Sequence, residues 1–115
     1  MPADNLAIFA DVLSMHNRVA VQDAPELASE AVFFGDASAV VLALPAVEDA
    51  TALVTAVRAR VEVPILIGGY ATHANIAQLL KHADGAIVGG AFEARARVAG
   101  VTAQSVREFM QLVPR

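Results

Sequence analysis

The chain contains no cysteine and no tryptophan. Without cysteine there is no disulfide framework, no thiolate metal site and no cysteine nucleophile. Charge is sparse too. Charged residues make up 17% of the chain against 57% apolar, with a net charge of −4 and a pI of about 5.2. With 12 acidic against 8 basic residues and no Lys/Arg stripe, the composition argues against nucleic-acid binding. Residues 37–47, uncharged throughout, reach about half the length of a membrane span. The first ten residues have neither a basic start nor a cleavable apolar segment, so no signal peptide and a cytoplasmic setting are expected. P-loop, G-x-S-x-G and G-x-G-x-x-G patterns are absent, and no cofactor is expected. The three histidines, His16, His73 and His82, have no acidic residues at ligand spacing, so no metal site is expected either.

What is present is apolar chain in short runs. At 115 residues a single domain spanning 1–115 is expected, large enough to bury its own core. The apolar excess implies either an apolar surface or a face covered by a partner. The organising stretch is residues 64–93, PILIGGYATHANIAQLLKHADGAIVGGAFE. Two apolar runs each end in a glycine pair, Gly68-Gly69 and Gly89-Gly90, with an amphipathic segment between them over 72–83. This reads as strand, helix, strand.

The remainder repeats the unit. Residues 6–13 (LAIFADVL) read as a buried strand with Asp11 near its end. A helix follows from Asp23, which is expected to cap it with Glu26 in a D-x-x-E box, Pro25 in the first turn, Leu27, Ala31 and Phe34 inward, and Gly35 as the stop. Residues 38–44 (SAVVLAL) are apolar throughout, as in a parallel strand covered on both faces. The helix over 47–61 repeats Ala50, Leu53, Val54, Val57 and Val61 at helical spacing, with acids in its first turn and arginines in its last. Strands at 65–67 and 85–88 bracket the third helix, which turns Ile76, Leu79, Leu80 and Ala83 inward. A further helical turn is expected at 91–96. A last helix over 102–113 carries Val106, Phe109, Met110 and Val113. Four strand–helix units with no hairpin signal require a parallel sheet with helical crossovers. Periodicity leaves two architectures open: half of a TIM barrel, or an open flavodoxin-like sheet.

IFADV at 8–12, PILIGGYATHANIAQLL at 64–80, HADGAIVGGAFE at 82–93 and VTAQSVREFM at 101–110 together resemble the C-terminal half of the BtpA family, which is named for a photosystem I biogenesis factor. The resemblance covers nearly the whole chain and implies a half TIM barrel whose strands correspond to barrel strands five to eight. It also implies a homodimer, or a partner chain completing the barrel, because a half barrel leaves two open edges.

In barrels of this kind the loops after strands seven and eight often hold a phosphate. By that analogy Gly68, Gly69, Gly89 and Gly90 are the candidate phosphate-binding residues, since glycine lets backbone N–H groups approach an anion. Tight turns without a ligand would use the same residues. Asp11 and His16 are the candidate acid–base pair; a structural carboxylate and a solvated loop histidine are the bland alternatives. The departures from the family pattern fall on this rim. GGYATHAN stands where the family resembles G-S-G-V-T-x-E-N, putting Tyr70 in place of a small residue. Gly90 and Glu93 replace a Thr and a Lys of I-V-G-T-x-x-K. Ser14-Met15-His16 stands for V-K-H, and Leu44-Pro45-Ala46 stands where the family tends to T-G. A retained scaffold with an altered rim suggests a non-catalytic or weakly active binding and assembly module with a residual phosphate site. The alternative is an enzyme, or an enzyme half, acting on a phosphorylated sugar or nucleoside-like substrate.

Overall fold

The computed structural model describes residues 5–14, 19–91 and 102–114. Strands β1 (Phe9–Leu13), β2 (Ala39–Leu42), β3 (Ile65–Ile67) and β4 (Gly85–Ala86) alternate with helices α1 (Ala24–Phe33), α2 (Val47–Arg58), α3 (Ile76–Leu79) and α4 (Ala103–Met110). All strand pairs are parallel, and the order across the sheet is β1-β2-β3-β4. That order decides between the two architectures. A flavodoxin-like sheet reverses direction after its first strand to place helices on both faces. Sequential order with right-handed crossovers puts every helix on one face, as in one half of a (βα)8 barrel. The sheet is not closed: β1 and β4 are free edges among the described residues.

Register sorts the side chains. Asp11 pairs with Val41, Val41 with Leu66, and Leu66 with Gly85, so these residues share one face, with Phe9 and Ala39 alongside them. Ala10, Val40, Leu42, Ile65 and Ile67 point the other way. This second face is the core. Val40 and Ile65 are fully buried there against Leu53, Val54 and Val57 of α2 and Ala28 of α1. None of the first set belongs to that core cluster. Phe9 is 56% exposed and Ile87, just past β4, is 54% exposed. At full burial each such side chain contributes about 1.5–3 kcal/mol, and the single chain leaves much of that unrealised.

Several local expectations hold and others shift. Ala50, Leu53, Val54 and Val57 form the buried stripe of α2, and Val61 is buried beyond its end. Ile76, Leu79 and Ala83 are buried as expected. Thr72 opens the α3 turn: Thr72 N–H donates to Asn75 Oδ1 (2.7 Å), Asn75 N–H donates to Thr72 Oγ1 (3.3 Å), and Ile76 N–H reaches Thr72 O (3.0 Å). Thr102 caps α4 by accepting from Ser105 N–H at 3.1 Å.

Asp23 does not act as expected. It lies in a 3₁₀ turn (Val21–Asp23) with helical backbone angles, and its side chain makes no capping bond. A capping carboxylate needs extended backbone at that residue. The buried stripe of α1 runs through Ala24 and Ala28, while Phe34 is 81% exposed and stacks edge-on against Phe33. At the end of α1 the left-handed residue is Asp36 (φ 52). Gly35 is required for a different reason: a Cβ there would lie 2.7 Å from Ala31 O. On α4, Phe109 is buried but Met110 is 53% exposed. β1 is shorter than expected and carries a register shift between Asp11 and Leu13. The extra residue in a bulge bends the strand, and Val12 and Leu13 are consequently both buried. The turn expected at 91–96 extends beyond the described residues.

Beneath the sheet, Asp84 locks the start of β4. Its Oδ2 accepts from Ile65 N–H at 2.8 Å and meets Arg58 Nη2 at 2.7 Å. Arg58 also donates to His82 O at 3.2 Å, so α2, β3 and β4 are tied at one point.

Candidate functional site

The rim at the C-terminal ends of β3 and β4 is built by two short loops. Both glycine pairs face one groove of about 530 Å³, together with Tyr70 and Thr72. The quartet expected from sequence is therefore brought together in space, though its members are glycine for different reasons.

Gly68 is fixed by packing. A Cβ at this position would collide with Val41 Cγ1, and its N–H donates to Leu42 O at 2.8 Å as part of the sheet ladder. That N–H is not available to a ligand. Gly89 and Gly90 contrast with it. A Cβ at either meets nothing within 4 Å, and neither has a positive φ. Neither crowding nor backbone conformation among the described residues explains why these two are glycine.

Between the pairs, Tyr70 adopts φ 65, a left-handed conformation that costs a non-glycine residue roughly 1–2 kcal/mol. Asn75 offsets this by donating from Nδ2 to Tyr70 O at 2.9 Å. The same Asn75 forms the reciprocal pair with Thr72. The arrangement uses up two N–H groups at the start of α3 that an anion would otherwise take. The open part of the groove is thus its Gly89-Gly90 side. Sequence reading passed over Tyr70 as a groove wall and over the Thr72/Asn75 pair, although the T-x-x-N spacing is a capping pattern.

Asp11 is exposed in β1, on the sheet face that no described helix covers, in one row with the buried Val41. Within one chain it stands at the opposite edge from Gly89-Gly90, with β2 and β3 between. The single chain therefore does not unite Asp11 with the glycine groove. His16 and Glu93 lie outside the described residues. His73 packs its ring edge-on against Phe109 (centroids 5.1 Å apart, 84°), joining the turn before α3 to α4. The Asp84 carboxyl is held below its ordinary pKa. The Ile65 N–H lowers it most, burial opposes, and Arg58 lowers it further. That carboxylate sits at the far end of the sheet from the groove. No described helix is long and apolar enough to cross a membrane.

A parallel α/β sheet wound in one direction, helices on one face and glycine loops at its C-terminal rim, defines an open half-barrel with a rim groove. The BtpA family model matches residues 1–115, and the chain belongs to the BtpA family. No curated protein matches it significantly. Among solved structures, it is similar to the carboxyl transferase domain of Rhizobium etli pyruvate carboxylase, at 17% identity and TM-score 0.47 over 92% of this chain. The chain spans 22% of the length of that structure.

Proposed function

We propose that this chain is an assembly and binding module, a half-barrel that works once another four-stranded half covers the exposed margins of its sheet and pairs with its free edges. The observation that carries this reading is the exposure of Phe9 (56%) and Ile87 (54%) on a face that no described helix covers. Apolar surface and unpaired strand edges together are a template for association. Light scattering on a gel-filtration column, across dilution, tests it. The expected mass exceeds one chain; a stable, folded single chain at every concentration overturns the reading.

A second reading concerns the rim. Gly89 and Gly90, open and free of steric need, favour a ligand whose anionic group approaches backbone N–H groups, such as a phosphorylated sugar or nucleoside-like compound. In this reading Asp11 is the acid–base candidate, with His16 beside it in the sequence. Calorimetric titration with inorganic phosphate tests the groove. Binding that Gly89→Asp abolishes supports the reading, and absence of binding to the assembled protein removes it.

A further inference from the structure

The half-barrel reading leaves the occupant of the open edges unnamed, and the edges themselves carry information about it. At β1, Ile8 N–H donates to Ser38 Oγ (3.0 Å) and Ile8 O accepts from Ser38 N–H (2.7 Å). Both polar groups of Ile8 therefore face β2. In a parallel strand the next residue turns its groups to the other side, so those of Phe9 face the open edge. At β4, Ile87 N–H donates to Ile67 O at 2.7 Å, which turns Ala86 outward by the same alternation.

Resting on the half-barrel reading, we propose that the occupant is a second copy of this chain, with β1 of each copy adding in parallel to β4 of the other. An eight-stranded barrel has shear 8, and two identical halves must share it, giving a step of about four residues per half. Asp11 lies in one lateral row with Gly85. The step then sets Ala7 opposite Gly85, Ile8 opposite Ala86, Phe9 opposite Ile87 and Asp11 opposite Gly89. An even step keeps faces matched: Phe9 and Ile87, each more than half exposed in one chain, become neighbours inside the barrel. It also keeps the ladder in phase, since the outward groups of Ala86 fall between those of Ala7 and Phe9. An odd step would turn Phe9 out of the barrel.

The helix side fits as well. Ile8, 42% exposed, would sit beside Ala86, which lines a groove of about 470 Å³ with Leu80, Val106, Met110 and Val113. Leu6, Ile8, Phe9 and Ile87 offer on the order of 400 Å² of side-chain surface per copy, about half of the ~800 Å² per partner in a standard stable interface. Edge backbone, the half-buried Leu66 and the exposed Asp11 add to it. The closure also finishes the rim, because Asp11 of one copy arrives beside Gly89 of the other. The residues separated in a single chain thus meet across the interface.

The absence of cysteine allows a direct test with the double variant Phe9→Cys/Ile87→Cys. In one open chain the two positions are about three strand spacings (~14 Å) apart across the sheet and about four residues (~13 Å) apart along it, too far for a disulfide. Mild oxidation is expected to give a covalent dimer, whereas Ala7→Cys/Ile87→Cys, two residues out of register, gives little. Ile87→Lys is expected to yield single chains with unchanged helical circular dichroism. A dimer by light scattering in which 9 and 87 do not cross-link, or in which the 7/87 control links better, overturns this pairing while leaving the half-barrel reading standing. An assembly built only with a chain of different sequence overturns the second copy as occupant. Single chains throughout overturn both.

Discussion

Gly68→Ala and Gly89→Ala are the same chemical change at equivalent turns, and the geometry gives them opposite signs. A Cβ at residue 68 collides with Val41 Cγ1. Val41 is 6% exposed in the centre of β2 and β-branched, so it has little freedom to rotate away. Relief requires moving the β3 backbone, whose Gly68 N–H is held by Leu42 O at 2.8 Å. Overpacking of this kind costs about 1–3 kcal/mol. At Gly89 the added methyl meets nothing among the described residues and φ is not positive. The substitution then acts mainly by restricting the unfolded chain, which stabilises by about 0.4–1 kcal/mol. Urea unfolding measures both, with the midpoint read at constant slope. If the half-barrel reading holds, the comparison must be made at one protein concentration, since assembly shifts apparent stability. Gly68→Ala without cost, or Gly89→Ala as costly as Gly68→Ala, would refute the assignment of one glycine to packing and the other to open space.

Four further substitutions have defined outcomes. Asp84 has a lowered folded pKa because Ile65 N–H and Arg58 favour its ionised form. Its contribution is therefore present above the ordinary carboxylate pKa of about 4 and is lost as pH falls through the lower folded value. Both side chains of the pair are well exposed, at 39% and 45%, so the ion pair itself contributes no more than about 1 kcal/mol; Asp84→Asn should flatten the acid limb of a stability–pH curve by that order, and an unchanged limb contradicts the clamp. Thr102→Ala removes the acceptor for Ser105 N–H and should cost about 1 kcal/mol in urea unfolding, whereas Asp23→Ala, whose side chain caps nothing, should be close to neutral. Leu53→Ala, in the buried stripe of α2, should cost about 2–5 kcal/mol by the same measurement.

The framework was legible because it rests on periodic burial. Apolar runs at β2 and β3, and the helical spacing through Leu53, Val54 and Val57, predict elements that the structure contains, since one face of each must meet the core. The sheet order was not legible from periodicity. Both candidate architectures use the same strand–helix units and differ only in which strands pair, and the family resemblance pointed to the sequential order. Large apolar residues at an element's end misled: Phe34 and Met110 continue an apolar stripe by number, but the helix ends or turns away before they reach the core. At the rim, sequence could pair the glycines but could not rank them. Gly68 is set by a contact with Val41, 27 positions earlier in the chain, while Gly89 and Gly90 have no such contact among the described residues. The separation of Asp11 from the groove likewise follows from strand order, which no local pattern encodes.

The half-barrel reading requires the open edges of the sheet to be paired in the working protein. Amide hydrogen exchange at Phe9 and Ala86 tests it most directly, because alternation turns these groups toward the free edges of β1 and β4. Protection comparable to that of Val40 in the sheet interior is expected, falling on dilution as the assembly separates. Rapid exchange at both residues, independent of concentration, in a chain whose Val40 remains protected, would contradict it.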